Sequence, residues 1–236
     1  MNVAIVVAAG KGSRMGGSEP KQFLELCGVP IIVHTLRRFE QCDEITEVIL
    51  VLPADATAGF LSLAKKFQLA KVSKVVAGGA TRAQSVLSGL RAISKAEIVA
   101  VHDGVRPLVT PDEIARVTQA AKRSGAAILV APVIDTIKEV SQDFVVRTPA
   151  RNRFRRALTP QCFRYDILRR AYANLSEFEA AGTKVTDDSL LVERLGIKVA
   201  VVEGSARNIK LTGPEDLALA ETILKQEPGV RRQESE

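Results

Sequence analysis

The sequence predicts an α/β fold in which a single doubly wound, mostly parallel sheet carries a projecting β arm. Short apolar runs rich in β-branched residues alternate with helix-length segments whose apolar residues recur near the helical period. Several of the runs are apolar throughout, which is typical of strands buried on both faces of a sheet. A β-α-β alternation of this kind implies right-handed crossovers between parallel strands.

The first half of the chain holds the regular part of this alternation. Apolar runs predict strands at residues 3–8, 48–52, 72–77, 98–101 and 127–130. Amphipathic spacing predicts helices at residues 31–40, 58–67, 83–93 and 113–122. The last of these helices has the clearest start, because Thr110 can cap it, Pro111 suits its first position and Glu113 favours the positive end of the helix dipole.

The alternation breaks at residues 133–157, which we interpret as the projecting arm. Two short, polar-interrupted β-like runs, 136–140 and 144–147, flank the turn-like Ser141-Gln142-Asp143. After the arm, the pattern predicts helices near 165–175 and 187–195, a strand at 198–202 and a final helix at 217–225.

The chain shows no internal repeat and no low-complexity linker, so we assign residues 1–226 to one domain that includes the arm. Residues 227–236 mix Pro, Gly and charges without apolar periodicity. This composition predicts a disordered tail.

Composition indicates a soluble cytoplasmic protein. Hydrophobic residues make up 46% and charged residues 25% of the chain, and no apolar run approaches the roughly 20 residues of a membrane span. The amino terminus enters a strand pattern at once, without the features of a signal peptide. Cys27, Cys42 and Cys162 are odd in number and widely spaced, which argues against a disulfide framework or a zinc site.

The net charge of +6 indicates an anionic partner, which could be a nucleic acid, an anionic membrane or a phosphorylated small molecule. An arginine cluster at Arg151, Arg153, Arg155 and Arg156 favours the first of these. It lacks interleaved aromatic residues beyond Phe154 and belongs to no recognisable binding module. A solvated arm face explains most of the cluster, so we expect neither nucleic acid nor membrane as a partner.

Ligands of an open parallel sheet bind beyond the carboxyl ends of its strands, and the loop after the first predicted strand is rich in glycine. This loop spans residues 8–17 and leads into Pro20-Lys21-Gln22. Glycines let backbone N–H groups approach a phosphate closely, and Arg14 and Lys21 can supply positive charge. The spacing matches neither the Rossmann nor the P-loop fingerprint, and a tight connection without a ligand is the alternative.

Two further loops add to this edge of the sheet. Gly78-Gly79 precedes the third predicted helix, and Asp103 and Arg106 follow the fourth strand. Taken alone, Asp103 and Arg106 indicate a local ion pair, and His102 indicates a buried histidine with its hydrogen bonds satisfied.

Together the loops closely resemble the 2-C-methyl-D-erythritol 4-phosphate cytidylyltransferases. The first set of motifs is Ala8-Ala9-Gly10-Lys11-Gly12-Ser13-Arg14-Met15-Gly16 with Pro20-Lys21-Gln22, Gly78-Gly79 with Arg82 and Ser85, and Val101-His102-Asp103 with Arg106-Pro107. The second set is Ala131-Pro132-Val133, Asp135-Thr136, Arg151-Asn152, Leu158-Thr159-Pro160-Gln161, Thr186-Asp187-Asp188 and the segment 204–212. The similarity spans about residues 3–224, and so many motifs in one order form a specific signal.

The resemblance implies a Rossmann-like nucleotidyltransferase fold and cytidylyl transfer from CTP to 2-C-methyl-D-erythritol 4-phosphate in non-mevalonate isoprenoid biosynthesis. It implies catalytic roles for Arg14, Lys21 and Lys210. It places around the nucleotide Ala8, Ala9, Gly10, Gly79, Ser85 and Asp103. It places on the acceptor side Arg106, Thr136, Arg151, Thr159, Thr186 and Thr212.

The same resemblance implies Mg²⁺ bound mainly through the CTP phosphates, and a homodimer formed through the arm. Thr186, which precedes Asp187-Asp188, is also expected to cap a helix. Three alternatives remain: a ribitol-5-phosphate cytidylyltransferase, a noncatalytic nucleotide-binding protein and a nucleic-acid binder. Retention of Arg14, Lys21 and Lys210 together disfavours the noncatalytic reading.

Overall fold

A seven-stranded sheet organises the computed structural model, which describes residues 1–10, 20–182 and 184–226. The strands of the described residues are β1 (Asn2–Val7), β2 (Glu25–Leu26), β3 (Val29–Pro30), β4 (Glu47–Leu52), β5 (Val72–Ala77), β6 (Ile98–Asp103), β7 (Ala126–Pro132), β8 (Glu139–Ser141), β9 (Phe144–Arg147), β10 (Arg155–Arg164) and β11 (Ala200–Glu203). The order across the large sheet is β11-β7-β10-β6-β1-β4-β5. Only β10 runs antiparallel to its neighbours, so the described sheet is mostly parallel, as predicted.

Helices cover both faces of the sheet. They are α1 (Ile31–Glu40), α2 (Thr57–Lys66), α3 (Arg82–Arg91), α4 (Pro111–Ser124), α5 (Tyr165–Ala173), α6 (Leu175–Ala180), α7 (Asp188–Glu193) and α8 (Pro214–Lys225). Successive side chains of a strand point to opposite faces, so Ala4 and Val6 pack under α1, α2 and α4, whereas Val3 and Ile5 pack under α3, α5 and α7. Burial on both faces explains why the strands are apolar throughout.

The helix starts follow the capping residues of the sequence. The Thr110 hydroxyl accepts a hydrogen bond from the Glu113 backbone N–H at 3.2 Å, and the Glu113 carboxylate accepts one from the Thr110 N–H at 2.8 Å. This reciprocal pair confirms the predicted start of α4. At α7 the cap is Asp187, whose carboxylate accepts from the Leu190 N–H at 3.2 Å, so the expectation that Thr186 caps this helix was wrong.

The arm leaves the sheet after β7 and returns at β10. Its strands β8 and β9 pair antiparallel, and the turn between them holds Gln142 and Asp143 at positive φ. The side chains of both strands are exposed, which confirms the projecting β arm. The predicted end of the arm at residue 157 was wrong, because residues 155–157 already pair with β7.

The sequence reading missed β10 altogether. This strand contains Pro160 and Gln161, and its pairing with β7 shifts register between Ala157 and Gln161. A proline inside a strand is tolerated at such an irregularity, because no backbone N–H is needed there for a hydrogen bond to the neighbouring strand. In a sequence pattern, however, an interior proline argues against a central strand, and β10 was therefore not predicted.

A third apolar cluster lies beside the sheet and packs α8 against the hairpin of β2 and β3. Leu26, Ile31, Leu211 and Leu224 belong to it. The cluster fixes the segment before α8, where Lys210 and Thr212 lie. No helix of the described residues is long and apolar enough to cross a membrane. The predicted tail at 227–236 lies outside the described residues, and the assignment of residues 1–226 to one domain stays a prediction.

Candidate active site

A cavity of about 320 Å³ opens at the carboxyl ends of β1, β5 and β6, where a doubly wound sheet binds its ligands. The residues that line it come from distant parts of the chain. Those named from the sequence are Ala8, Ala9, Gly10, Lys21, Gly79, Ser85, Asp103 and Lys210. Arg14 lies outside the described residues.

The loop between β5 and α3 reaches the cavity through tightly packed glycines. A Cβ at Gly78 would lie 2.3 Å from the Cβ of Ala9, and one at Gly79 would lie 2.5 Å from the Cβ of Gln84. The Ser85 hydroxyl accepts a hydrogen bond from the Gly79 N–H at 3.1 Å and donates one to the Thr81 carbonyl at 2.9 Å. The glycines therefore bring this backbone against both the β1 loop and the start of α3.

The carboxylate of Asp103 is the electrostatic centre of the cavity. Its Oδ1 lies 2.9 Å from Arg82 Nε, and its Oδ2 lies 3.3 Å from Arg106 Nε and 3.0 Å from Lys210 Nζ. Burial alone would raise the pKa of Asp103, but these three cations outweigh burial and hold the pKa well below its usual range. Asp103 is therefore a carboxylate at any physiological pH.

Two lysines meet at the cavity although they lie near opposite ends of the sequence. Lys21 Nζ donates to the Leu211 carbonyl at 3.1 Å, next to Lys210. The segment 208–211 is itself tied to the β6 loop, because the Leu211 N–H donates to the Val105 carbonyl at 2.9 Å. Arg106 Nη1 donates to the Asn208 carbonyl at 2.9 Å. The cavity thus carries more positive than negative charge, which suits a polyphosphate.

His102 lies beneath the cavity and has its hydrogen bonds satisfied, as the sequence indicated. Nδ1 accepts from the Thr159 hydroxyl at 2.9 Å, and Nε2 donates to the Arg106 carbonyl at 3.2 Å, in the tautomer that this network assigns. The Thr159 oxygen also accepts from the Asp103 N–H at 3.2 Å. Burial lowers the pKa of His102 to about 3, so the imidazole is neutral.

The residues predicted for the acceptor side are not brought together within one chain. Arg106 and Thr159 contact Asp103 under the cavity. The Thr212 hydroxyl donates to the Asp216 carboxylate at 2.7 Å. The remaining three, Thr136, Arg151 and Thr186, are exposed and are not among the residues that line the cavity.

Sequence reasoning gave no role to three residues of the site. They are Arg82, Gln161 and Asp188. Arg82 lines the cavity and bridges Asp103 and Asp188. The buried Gln161 accepts hydrogen bonds from the Asp188 and Ser189 N–H groups at 3.0 Å each. Arg82 and Asp188 stood inside recognised motifs, but nothing in their spacing showed that they pair.

The side chains of the site suit a metal ion that a bound ligand coordinates better than one that protein side chains coordinate alone. Within residues 1–10, 20–182 and 184–226, no group of three or more His, Cys, Asp or Glu side chains could hold a metal ion. Asp103 is the carboxylate among the residues that line the cavity, and three cations already engage it.

A larger open cleft of about 660 Å³ lies between α3, α5 and α6, away from the strand ends.

Comparison with known proteins places the chain among described enzymes. The family model described as IspD, 2-C-methyl-D-erythritol 4-phosphate cytidylyltransferase, matches residues 2–226. Proteins of that name from Syntrophus aciditrophicus and Alkaliphilus metalliredigens are 48% and 47% identical. The first alignment covers 96% of this chain and 97% of the relative, and the second covers 94% and 92%.

Solved structures give the same result. The 4-diphosphocytidyl-2C-methyl-D-erythritol synthase of Anaerococcus prevotii superposes with a TM-score of 0.82 at 32% identity, covering 95% of this chain and 96% of that one. The 2-C-methyl-D-erythritol 4-phosphate cytidylyltransferase of Thermus thermophilus gives 0.75 at 36% identity, covering 94% and 98%.

Proposed function

The chain belongs to the 2-C-methyl-D-erythritol 4-phosphate cytidylyltransferase family, and on that premise we propose that it transfers the cytidylyl group of CTP to 2-C-methyl-D-erythritol 4-phosphate. The products are 4-diphosphocytidyl-2-C-methyl-D-erythritol and pyrophosphate, a step of non-mevalonate isoprenoid biosynthesis. The observation that carries the proposal is the convergence of Lys21 and Lys210 on one glycine-walled cavity at the carboxyl edge of the sheet.

The reaction is a displacement at the α-phosphorus of CTP. A phosphate oxygen of the acceptor forms the new bond, and the bond to the bridging oxygen of the β-phosphate breaks, so that oxygen leaves with pyrophosphate. A phosphate monoester has its second pKa at about 6, so the nucleophile is largely a dianion at neutral pH and needs no catalytic base. The chemical difficulty is therefore repulsion between two anions.

Positive charge that is held in place before the substrates bind offsets the repulsion between the two anions. In our proposal Arg14 and Lys21 neutralise the triphosphate, and Lys210 supplies a cation on the side of the α-phosphate. Lys210 is already fixed by Asp103 at 3.0 Å, and Lys21 by the Leu211 carbonyl at 3.1 Å. Little reorganisation is then needed when charge grows on the leaving group.

The nucleotide side of the proposal uses the residues that line the cavity. They are Ala8, Ala9, Gly10, Gly79, Ser85 and Asp103. Close packing of Gly78 and Gly79 keeps side chains out of the space between the β1 and β5 loops. The base and ribose can therefore meet backbone groups, while Asp103 offers a carboxylate to hydroxyls.

We propose Mg²⁺ as the cofactor, held mainly by the CTP phosphates, because hard divalent cations prefer oxygen ligands and often keep few protein contacts. The ion would neutralise charge on the phosphates. Asp103 is the carboxylate among the described residues that line the cavity, but Arg82, Arg106 and Lys210 already pair with it, so the protein would contribute few ligands to such an ion. Removal of the ion with EDTA should stop turnover, and added Mg²⁺ should restore it.

The acceptor side of the proposal needs a second copy of the chain. Thr136 and Arg151 stand on the exposed arm, and Arg106, Thr159, Thr186 and Thr212 stand nearer the body of the sheet. Large apolar side chains on the arm, Ile134 and Phe144 among them, are 74% and 77% exposed. Contact with a partner would cover them, which supports a homodimer in which each arm completes the acceptor site of its neighbour.

We place the protein in the cytoplasm. The thiols of Cys42 and Cys162 are buried and form no disulfide, which agrees with a reducing compartment. Nucleic acid and membrane are not partners in this proposal, because the surplus of positive charge at the cavity is accounted for by the triphosphate.

Pyrophosphate release from CTP tests the function. The assay compares methylerythritol phosphate, ribitol 5-phosphate and no acceptor, with CTP binding measured separately by calorimetry. We expect release only with an acceptor and a higher kcat/KM for methylerythritol phosphate. Preference for ribitol 5-phosphate would overturn the acceptor, and CTP binding without release under any condition would indicate a noncatalytic nucleotide-binding protein.

A further inference from the structure

Asp188 is a fully buried carboxylate that no step of the proposed reaction uses. Its side chain is 0% exposed at the first residue of α7. Oδ2 accepts a hydrogen bond from Arg82 Nη2 at 2.9 Å, and Oδ1 accepts one from the Tyr172 hydroxyl. Burying a carboxylate is costly unless it is paired, so the position of this charge calls for a reason.

Asp188 pairs with Arg82, and Arg82 also pairs with the Asp103 carboxylate in the cavity. Arg82 Nε contacts Asp103 Oδ1 at 2.9 Å while Nη2 contacts Asp188 at the same distance. The guanidinium is a rigid plane, so two carboxylates held at two of its edges fix both its position and its rotation. Burial opposes the charge of Arg82, but Asp188 and Asp103 outweigh it and raise the pKa of Arg82 well above its usual value.

Asp188 is itself held rigidly from two sides. Its backbone N–H donates to Gln161 Oε1 at 3.0 Å, and Gln161 Nε2 donates to Asp187 Oδ2 at 2.9 Å. Tyr172 holds the side chain from α5. The sequence of contacts therefore runs from the buried core, through Asp188 and Arg82, to the carboxylate in the cavity.

We propose that Asp188 is a positioning residue of this active site, which acts through Arg82 to hold the Asp103 carboxylate in its nucleotide-binding orientation. The inference rests on the proposed function. Loss of the Asp188 charge should weaken nucleotide binding without removing any group that contacts the nucleotide.

The kinetic test uses Asp188→Asn, Arg82→Lys and the double variant. Asparagine keeps the shape but removes the negative charge, so the ion pair with Arg82 becomes a weaker hydrogen bond from a charged donor to a neutral amide oxygen. Lysine keeps the positive charge, but its single ammonium group cannot hold two carboxylates as the planar guanidinium does. Because the Arg82 side chain is 23% exposed, we expect Arg82→Lys to fold. Each single variant should lose about 10- to 100-fold in kcat/KM for CTP, mostly through KM.

The double variant distinguishes a positioning role of Asp188 from a general loss of stability in the fold. If Asp188 acts through Arg82, the double variant should be no worse than the more impaired single variant. Multiplicative losses, or wild-type kcat/KM in either single variant, would overturn the proposal. Should Asp188→Asn fail to fold, wild-type kinetics in Arg82→Lys would still contradict it.

Tyr165→Phe is the matched control, because it removes a tyrosine hydroxyl from the same helix, α5, whose hydrogen bond goes to the Ile93 carbonyl at 2.9 Å and not to Asp188. We expect a lower Tm, with kcat/KM for CTP within about twofold of wild type. A loss as large as that of Asp188→Asn would show that the stability of α5 and the face it packs on, rather than the Arg82 contact, governs the kinetics, and would refute the positioning role.

A spectroscopic readout keeps this inference separate from the proposed function. The Arg82 Nε–H signal in a ¹⁵N–¹H NMR spectrum, assigned by its absence in Arg82→Lys, should be protected from exchange in the wild-type protein. It should broaden in Asp188→Asn. A signal that is unchanged in Asp188→Asn would overturn the proposal even if the wild type transfers no cytidylyl group. A signal that broadens in Asp188→Asn, together with a wild type that transfers no cytidylyl group, would show that the proposed function alone had failed.

Discussion

At the carboxyl end of β6, three cations surround the Asp103 carboxylate, whereas on the arm Phe144, Val145 and Val146 are mostly exposed and lie against no partner within the described chain. The first region satisfies its charges internally and is preorganised. The second has apolar surface that only another molecule can cover. In the proposed dimer, one chain builds the nucleotide site by itself, and the acceptor site is completed by the arm of the second copy.

The largest effect we expect comes from breaking the preorganised region itself. Lys21→Ala should lower kcat for cytidylyl transfer by roughly 10²–10³, because one fixed cation near a developing charge contributes that much. Its Tm should stay close to that of wild type, since the lysine head group lines an open cavity. Lys225→Ala on α8 is the control, and near-normal turnover in folded Lys21→Ala would refute the assignment.

Breaking the arm should cost less and should affect a different step. Phe144→Lys introduces a charge where Phe144 is expected to be covered in the dimer, so sedimentation should shift toward the monomer. Turnover should fall by about tenfold or more, while CTP binding stays near wild type, because the arm lines no part of the cavity within its own chain.

Leu61→Lys is the control for that variant, because Leu61 is 48% exposed on α2 and lies outside the arm. It should remain dimeric and active. A Phe144→Lys protein that is monomeric and fully active would contradict the shared acceptor site, and one that no longer binds CTP would contradict the division between the two regions.

Mixing inactive chains sharpens the comparison further. If one copy supplies the cavity and the other the arm, Lys21→Ala and Arg151→Ala chains should complement each other. Random assortment places one intact site in half of the dimers, so activity should recover to about a quarter of the wild-type level. Recovery after unfolding and refolding the two together, with none for either alone, is the expected result. No recovery despite mixed dimers would mean that each chain uses its own arm.

The two regions also differ in how well the sequence predicted them. Glycines and cations after strands point to a phosphate site by their chemistry, so the loop at residues 8–10 and Lys21 could be named without coordinates. The arm was visible because polar residues interrupt its strands and a turn sequence lies between them.

What the sequence could not predict depends on contacts between distant residues. Pro160 and Gln161 conceal β10, because a register shift makes an interior proline acceptable there. The pair of Arg82 and Asp188 is similarly hidden, because each resembles a charged residue on a helix surface until the fold buries them together. Propensity and spacing describe local structure, and neither reports a tertiary ion pair.

The smallest effect we expect concerns His102, which lies at the floor of the preorganised region. Its pKa is about 3 in the folded protein, because burial disfavours the charged imidazole, against about 6.5 in an unfolded chain. Above pH 6.5 both states are neutral and His102 adds no pH dependence. Between pH 6.5 and about 3 the unfolded state binds the extra proton, so the free energy of unfolding should fall by up to about 1.4 kcal/mol per pH unit.

His102→Asn lacks this proton-binding site but also loses the bonds to Thr159 and Arg106, so it should be the less stable protein at pH 7.5. The carboxylates titrate in both proteins, so their contributions to the pH dependence cancel in the comparison. Urea unfolding at pH 7.5, 6.5, 5.5 and 4.5 should therefore show a constant gap between the two proteins down to pH 6.5. Below that pH the gap should narrow by about 2–3 kcal/mol as the pH reaches 4.5. Parallel curves across the whole range would mean that His102 is not held neutral in the fold, and that the floor of the cavity is more open to water than its burial indicates.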